Sequence, residues 1–151
     1  MGMGIDELRR VVGLLEEANF ALAATVMSRA ETEQVLGWYA RAERLAADGT
    51  AELSARLGDA AKLARVSGTS VPQARRVIET GRVVAGSPVL AEAMRCGDVS
   101  VAQAGEIART AEVAPGSVGE LVDVARAESL QALRERARSV RLAAEDLSLI
   151  H

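Results

Sequence analysis

Ser70-Val71-Pro72-Gln73-Ala74 recurs thirty residues downstream as Ser100-Val101-Ala102-Gln103-Ala104. In each copy the serine is placed to accept from the first free N–H groups of a helix. The glutamine three residues on can reach back to the cap, the reciprocal arrangement of a capping box. Ser117-Val118-Gly119-Glu120 has the same spacing and predicts a third such start. Sharp helix starts at short intervals predict an all-α chain, a multi-helix bundle of short capped helices.

Working upstream from the first copy, Ala61-Lys62-Leu63-Ala64-Arg65-Val66 carries a helical pattern and Ser67-Gly68-Thr69 reads as a turn. Helix, glycine-containing turn and capped helix then follow in the order of a helix-turn-helix. The second helix is predicted from Ser70 to about Ala85, with Val71, Ala74, Val77, Ile78, Gly81 and Val84 on its apolar face. Pro72 lies in its first turn, where a missing N–H costs no internal hydrogen bond.

Further out, Ile5, Leu8, Val12, Leu15, Leu22 and Val26 form one apolar stripe. Val35, Trp38, Tyr39, Ala42, Leu45 and Ala46 form another after the polar stretch from Ser28 to Glu33. These predict one or two long N-terminal helices, ended at Asp48-Gly49-Thr50 by a C-cap-like glycine, with Thr50 capping the next helix and Gly58-Asp59 as a possible break. Downstream, Gly86-Ser87-Pro88 opens a short helix closed by Gly97, Ser100 opens one that ends before Ala114-Pro115-Gly116, and helices from Ser117 and Ser129 complete the chain. One helical domain over 1–145 is expected.

Composition agrees. The 151 residues are 49% apolar and 26% charged, but hold one Phe, one Trp and one Tyr, so the core must come from close helix approach rather than from rings. The single cysteine, Cys96, excludes an internal disulfide and is expected to be a small buried hydrophobe. No apolar run reaches the length of a bilayer span and the start lacks a basic-then-apolar signal, so no membrane partner and a cytoplasmic location are expected.

The net charge is −3, yet Lys62 to Arg82 contains five cations against Glu79 alone, leaving the remainder at −7. The positive charge therefore coincides with the helix-turn-helix, and duplex DNA is the expected partner. Thr69 and Ser70 are assigned to phosphates near the helix start, Gln73 and Arg76 to base edges, and Lys62, Arg65, Arg75 and Arg82 to the basic face that holds the backbone. The alternative is a protein–protein docking or oligomerisation module. In it the arginines are solvated, or Arg75, Glu79 and Arg82, at helical i, i+4 and i+7, pair with one another on a solvated face. A third possibility is an inert fragment.

The second copy carries Asp98 and Glu106 and is read as structural. Arg134, Arg136, Arg138 and Arg141 are diluted by Glu128, Glu135 and Glu145 and read as a solvated helix face. The only histidine is His151, and no acid, base, nucleophile or ligand spacing converges, so no catalytic residue, metal or cofactor is assigned.

Leu63 to Ser70 with Ala74-Arg75-Arg76, then Ser87-Pro88-Val89, then Ala93-Met94-Arg95-Cys96-Gly97-Asp98-Val99-Ser100-Val101-Ala102-Gln103-Ala104 resemble domain of unknown function 222. The resemblance runs from about 49 to 141. That domain is the helical N-terminal part of many bacterial proteins whose C-terminal part carries an HNH endonuclease signature. The resemblance implies an accessory module of an HNH-nuclease-type protein, with the nuclease domain as its partner in the parent. HNH chemistry itself needs histidines on a ββα metal motif, and neither is read here. Members continue past the position of Arg141 with more polar sequence, whereas Leu147-Ser148-Leu149-Ile150-His151 is similar to translated library-adapter sequence. The chain is therefore expected to be a truncated fragment, with 146–151 disordered or foreign.

Overall fold

The computed structural model describes residues 4–24 and 26–150, and every regular element among them is helical. They form α1 (Ile5–Ala24), α2 (Arg29–Leu57), α3 (Ala60–Ser67), α4 (Val71–Ala85), α5 (Pro88–Arg95), α6 (Val101–Val113), a 3₁₀ turn (Pro115–Ser117), α7 (Val118–Ala127) and α8 (Leu130–Ile150). By compactness the chain divides into one unit through Gly37 and a second from Trp38 onward, with α2 crossing the boundary. No described helix is long and apolar enough to cross a membrane.

In the first unit, α2 opens on a capping box that the periodicity alone had passed over as a polar stretch. Ser28 Oγ accepts from the Glu31 N–H at 3.1 Å, and Glu31 Oε1 accepts from the Ser28 N–H at 3.4 Å. The apolar stripe of α1 is present as predicted, but its side chains are exposed and build no core: Ile5 is 76% and Leu8 53% accessible. Val26 falls beyond the helix end and is exposed as well.

The second unit contains the core. α6 packs along α8, α4, α7 and α5, α7 packs on α8 and α5, and α3 packs on α4. Leu90, Met94, Ile107, Leu121, Val122 and Leu133 are fully buried with Ala93, Ala104 and Ala137 between them. Each large side chain removed from water contributes about 1.5–3 kcal/mol, and the interleaved alanines let the helix axes approach.

The helix end expected at Asp48-Gly49-Thr50 is not there. α2 runs on to Leu57 because Asp48, Ala51 and Ser54 are buried on its inner face. That packing outweighs the propensity cost of about 1 kcal/mol for Gly49 inside a helix. Thr50 does not cap; its hydroxyl donates back to the Ala46 carbonyl at 3.0 Å. The break comes at Gly58-Asp59, where Asp59 Oδ1 accepts from the Lys62 N–H at 3.0 Å and starts α3. α4 crosses α2 at Gly81, where a Cβ would sit 2.7 Å from the Ala51 carbonyl oxygen, so only glycine allows that approach.

Two further expectations are corrected. Ser117 is no N-cap: its φ and ψ of −89° and −8° are helical, it ends the 3₁₀ turn, and its hydroxyl donates to the Ala114 carbonyl at 2.6 Å. A capping serine needs extended backbone to aim its oxygen at the first N–H groups. Cys96 is exposed rather than buried, because it sits at the C-cap of α5, and its thiol donates to Glu92 Oε1 at 3.4 Å. α8 continues through 146–150, with Leu147 and Leu149 exposed. His151 lies outside the described residues.

Candidate nucleic-acid interface

The helix-turn-helix is formed by α3, a turn at Gly68-Thr69-Ser70, and α4. Gly68 adopts φ 68°, ψ 34°, a left-handed conformation that a Cβ would strain. The Thr69 N–H donates to the Ala64 carbonyl at 3.0 Å, the six-to-one bond of a Schellman ending. Ser70 is extended (φ −78°, ψ 156°), and its Oγ accepts from the Gln73 N–H at 3.2 Å. Leu63 and Ala64 of α3 bury against Ala74 and Ile78 of α4, a small cluster apart from the main core that fixes the angle between the helices. Val77 packs against both clusters and ties the motif to the bundle.

All eight residues assigned from the sequence are exposed: Lys62 and Arg65 on α3, Thr69 and Ser70 in the turn, and Gln73, Arg75, Arg76 and Arg82 on α4. Among the described residues, none of the five cations lies within ion-pair distance of a carboxylate. Glu79 therefore pairs with neither Arg75 nor Arg82; of the two arrangements the docking alternative allows, the intrahelical ladder is not formed and the arginines are solvated.

Seven arginines elsewhere in the second unit contrast with these. Arg126 and Arg41 reach Asp98 at 3.2 Å and 3.9 Å. Arg95 lies 3.7 Å from Glu52, and Arg136 pairs with Glu120. Arg109, Arg134 and Arg141 converge on Glu106, whose side chain is 6% exposed. Arg141 also donates to the Thr110 hydroxyl at 2.8 Å. The arginine stretch of α8, read from the sequence as a solvated face, is thus largely tied down by α6 and α7. Arg138 carries no such pair among the described residues.

The eight residues are not one continuous surface. Gln73 and Arg76 line a groove of about 550 Å³ between α4 and α6, together with Thr80, Gly105 and Arg109. Arg75 and Arg82 line a separate depression with Gly58 and Ala60 on the other flank of α4. Helical phase explains the split: successive residues turn by about 100°, so Arg75 and Arg76 diverge while Arg75 and Arg82 stack two turns apart. The Arg82 guanidinium lies over Gly58, 3.1 Å from where a Cβ there would be.

One nearby cation was left out of the sequence assignment. Arg56, in the last turn of α2 two residues before Gly58, is exposed and has no ion pair among the described residues. It lies upstream of the Lys62 to Arg82 window in which the sequence concentrates its cations. Glu79 lines both the groove and the depression, and Asp59, beside Gly58, is committed to capping α3. No protein-family model, curated protein or solved structure matched this chain.

Proposed function

We propose that this chain is a non-catalytic helical module that contacts duplex DNA through α3, the Gly68 turn and α4. The observation that carries the proposal is the set of exposed cations without carboxylate partners on this motif, on a chain whose net charge is −3. Holding a guanidinium free of salt bridges on an acidic molecule leaves it available for phosphate, where each neutralised charge releases a condensed counterion.

Geometry suggests the division of labour. Arg75 and Arg82 on one flank, with Lys62 and Arg65 of α3, contact phosphates, and the Thr69 and Ser70 hydroxyls contact the backbone at the helix start. Gln73 and Arg76, about one helical step around α4, face base edges in the major groove, where glutamine suits adenine and arginine suits guanine. The resemblance to domain of unknown function 222 extends the proposal to the parent: the module positions a nuclease domain of the HNH type carried elsewhere in that protein.

Fluorescence anisotropy of a labelled duplex at rising salt tests this directly. Arg75→Ala with Arg76→Ala is expected to weaken binding at least tenfold and to flatten the log–log salt slope by about 1.8, since each phosphate contact contributes about 0.9. The helical far-UV signal should persist, because both side chains are exposed. Unchanged affinity in the double variant removes the assignment.

A further inference from the structure

α1 carries a surface that the second unit's chemistry does not use. Ile5, Leu8, Val12, Leu15 and Leu22 are between 38% and 76% exposed, and Val11 and Leu14 beside them are 48% and 58% exposed. A soluble helix whose whole apolar stripe faces water is covered by something when it functions. The spacing indicates what. From Ile5 to Leu8, Val12, Leu15, Asn19 and Leu22 the steps alternate three and four, the seam of a heptad repeat. β-Branched Ile5 and Val12 occupy the a positions and Leu8, Leu15 and Leu22 the d positions, the combination that favours two parallel strands. Asn19 is the single polar a residue, of the kind that fixes register.

We propose that α1 pairs in parallel and in register with α1 of a second copy of this chain. In that arrangement Asn19 meets Asn19, whereas an antiparallel pair with a facing d would set it against Leu8. The positions that flank the seam also permit it: Gly4, Val11 and Ala18 at g are uncharged, so no like charges meet Arg9 or Glu16 at e across the interface. A membrane is the poorer occupant, because Asp6, Glu7, Glu16 and Glu17 outnumber Arg9 and Arg10 and an acidic helix is repelled by anionic lipid. Three heptads over about 27 Å make a small interface, so the dimer is reversible and concentration-dependent.

Sedimentation velocity of the full chain, from submicromolar to near-millimolar concentration, is the first test, and no DNA is present, so its outcome is separate from that of the nucleic-acid proposal. The parent is expected to shift from monomer to dimer as concentration rises, and Leu8→Glu with Leu15→Glu to stay monomeric throughout. A parent that is monomeric at every concentration overturns the proposal, as does a double variant that still dimerises. A second measurement stands apart from the integrity of that variant's helix: Ile5→Cys in a Cys96→Ser background, in a glutathione redox buffer. Parallel, in-register pairing gives a disulfide-linked dimer; absence of cross-linking overturns it. Co-sedimentation with phosphatidylcholine vesicles without self-association assigns the face to lipid and likewise overturns the dimer.

Discussion

Asp48 shows how one side chain is redefined by its surroundings. Local sequence makes it part of a turn, but in α2 it is only 8% exposed, with Glu52 one turn on and Arg95 nearby. Burial chiefly, and the Glu52 charge next, push its carboxyl above the ordinary value of 3.8, with Arg95 opposing. A raised folded pKa means that the folded state holds the proton more tightly than the unfolded chain. The resulting stability is fully present below the ordinary value and is lost as pH rises through the folded one. Asp48→Asn removes the titrating charge. The variant is expected to melt a few degrees higher at neutral pH and to show a flatter stability profile across the weakly acidic range, read by thermal denaturation at several pH values. A profile as steep as the parent's would show that Asp48 is not the group responsible. Cys96 illustrates the same lesson outside the core: its hydrogen bond to Glu92 is the main cause holding the thiol above its usual pKa, so it is a poor nucleophile despite its exposure.

At the scale of elements, the two copies of the capping sequence diverge in what their glutamines do. Ser100 and Gln103 make both halves of the box, at 3.1 Å and 2.9 Å, and Gln103 Nε2 also donates to the Ala125 carbonyl at 3.1 Å. One residue thus starts α6 and ties it to the end of α7. At Ser70 the structure shows the serine half alone, leaving the Gln73 side chain exposed on the groove beside α6. Gln103→Ala is expected to cost about 1–2 kcal/mol and Gln73→Ala less than about 0.5 kcal/mol in urea denaturation. Equal costs would mean that both glutamines are equivalent caps. The helix starts at Ser70, Ser87 and Ser100 were legible in the sequence because a cap is a local device, set by residues within one turn. Ser117 was not, since whether its backbone is extended depends on the Pro115 turn before it, and Ser28 was missed because its polar neighbours hid the spacing.

Over the whole molecule, the distribution of free and paired charge is the decisive property. Glu106, buried on α6, gathers Arg109 from its own helix and Arg134 and Arg141 from α8, joining the two most extensively packed helices. Glu106→Gln is expected to cost about 1–3 kcal/mol by urea denaturation, less than for a fully buried pair because the arginines are 33–70% exposed. The same substitution releases the Arg109 and Arg134 guanidiniums beside the groove that holds Arg76, so duplex affinity should rise as stability falls. An affinity unchanged or lowered would mean that this groove does not face DNA. Hydrophobic periodicity, caps and turn glycines, each acting within a few residues, were enough to determine from the sequence alone that the chain is all-α, where most helices begin, and that cations gather on α3 and α4. Tertiary structure alone decided which arginines are neutralised, that α2 runs through Gly49, and that Gln73 and Arg76 part from Arg75 and Arg82, because those outcomes depend on which distant carboxylate, backbone or helix face is brought alongside.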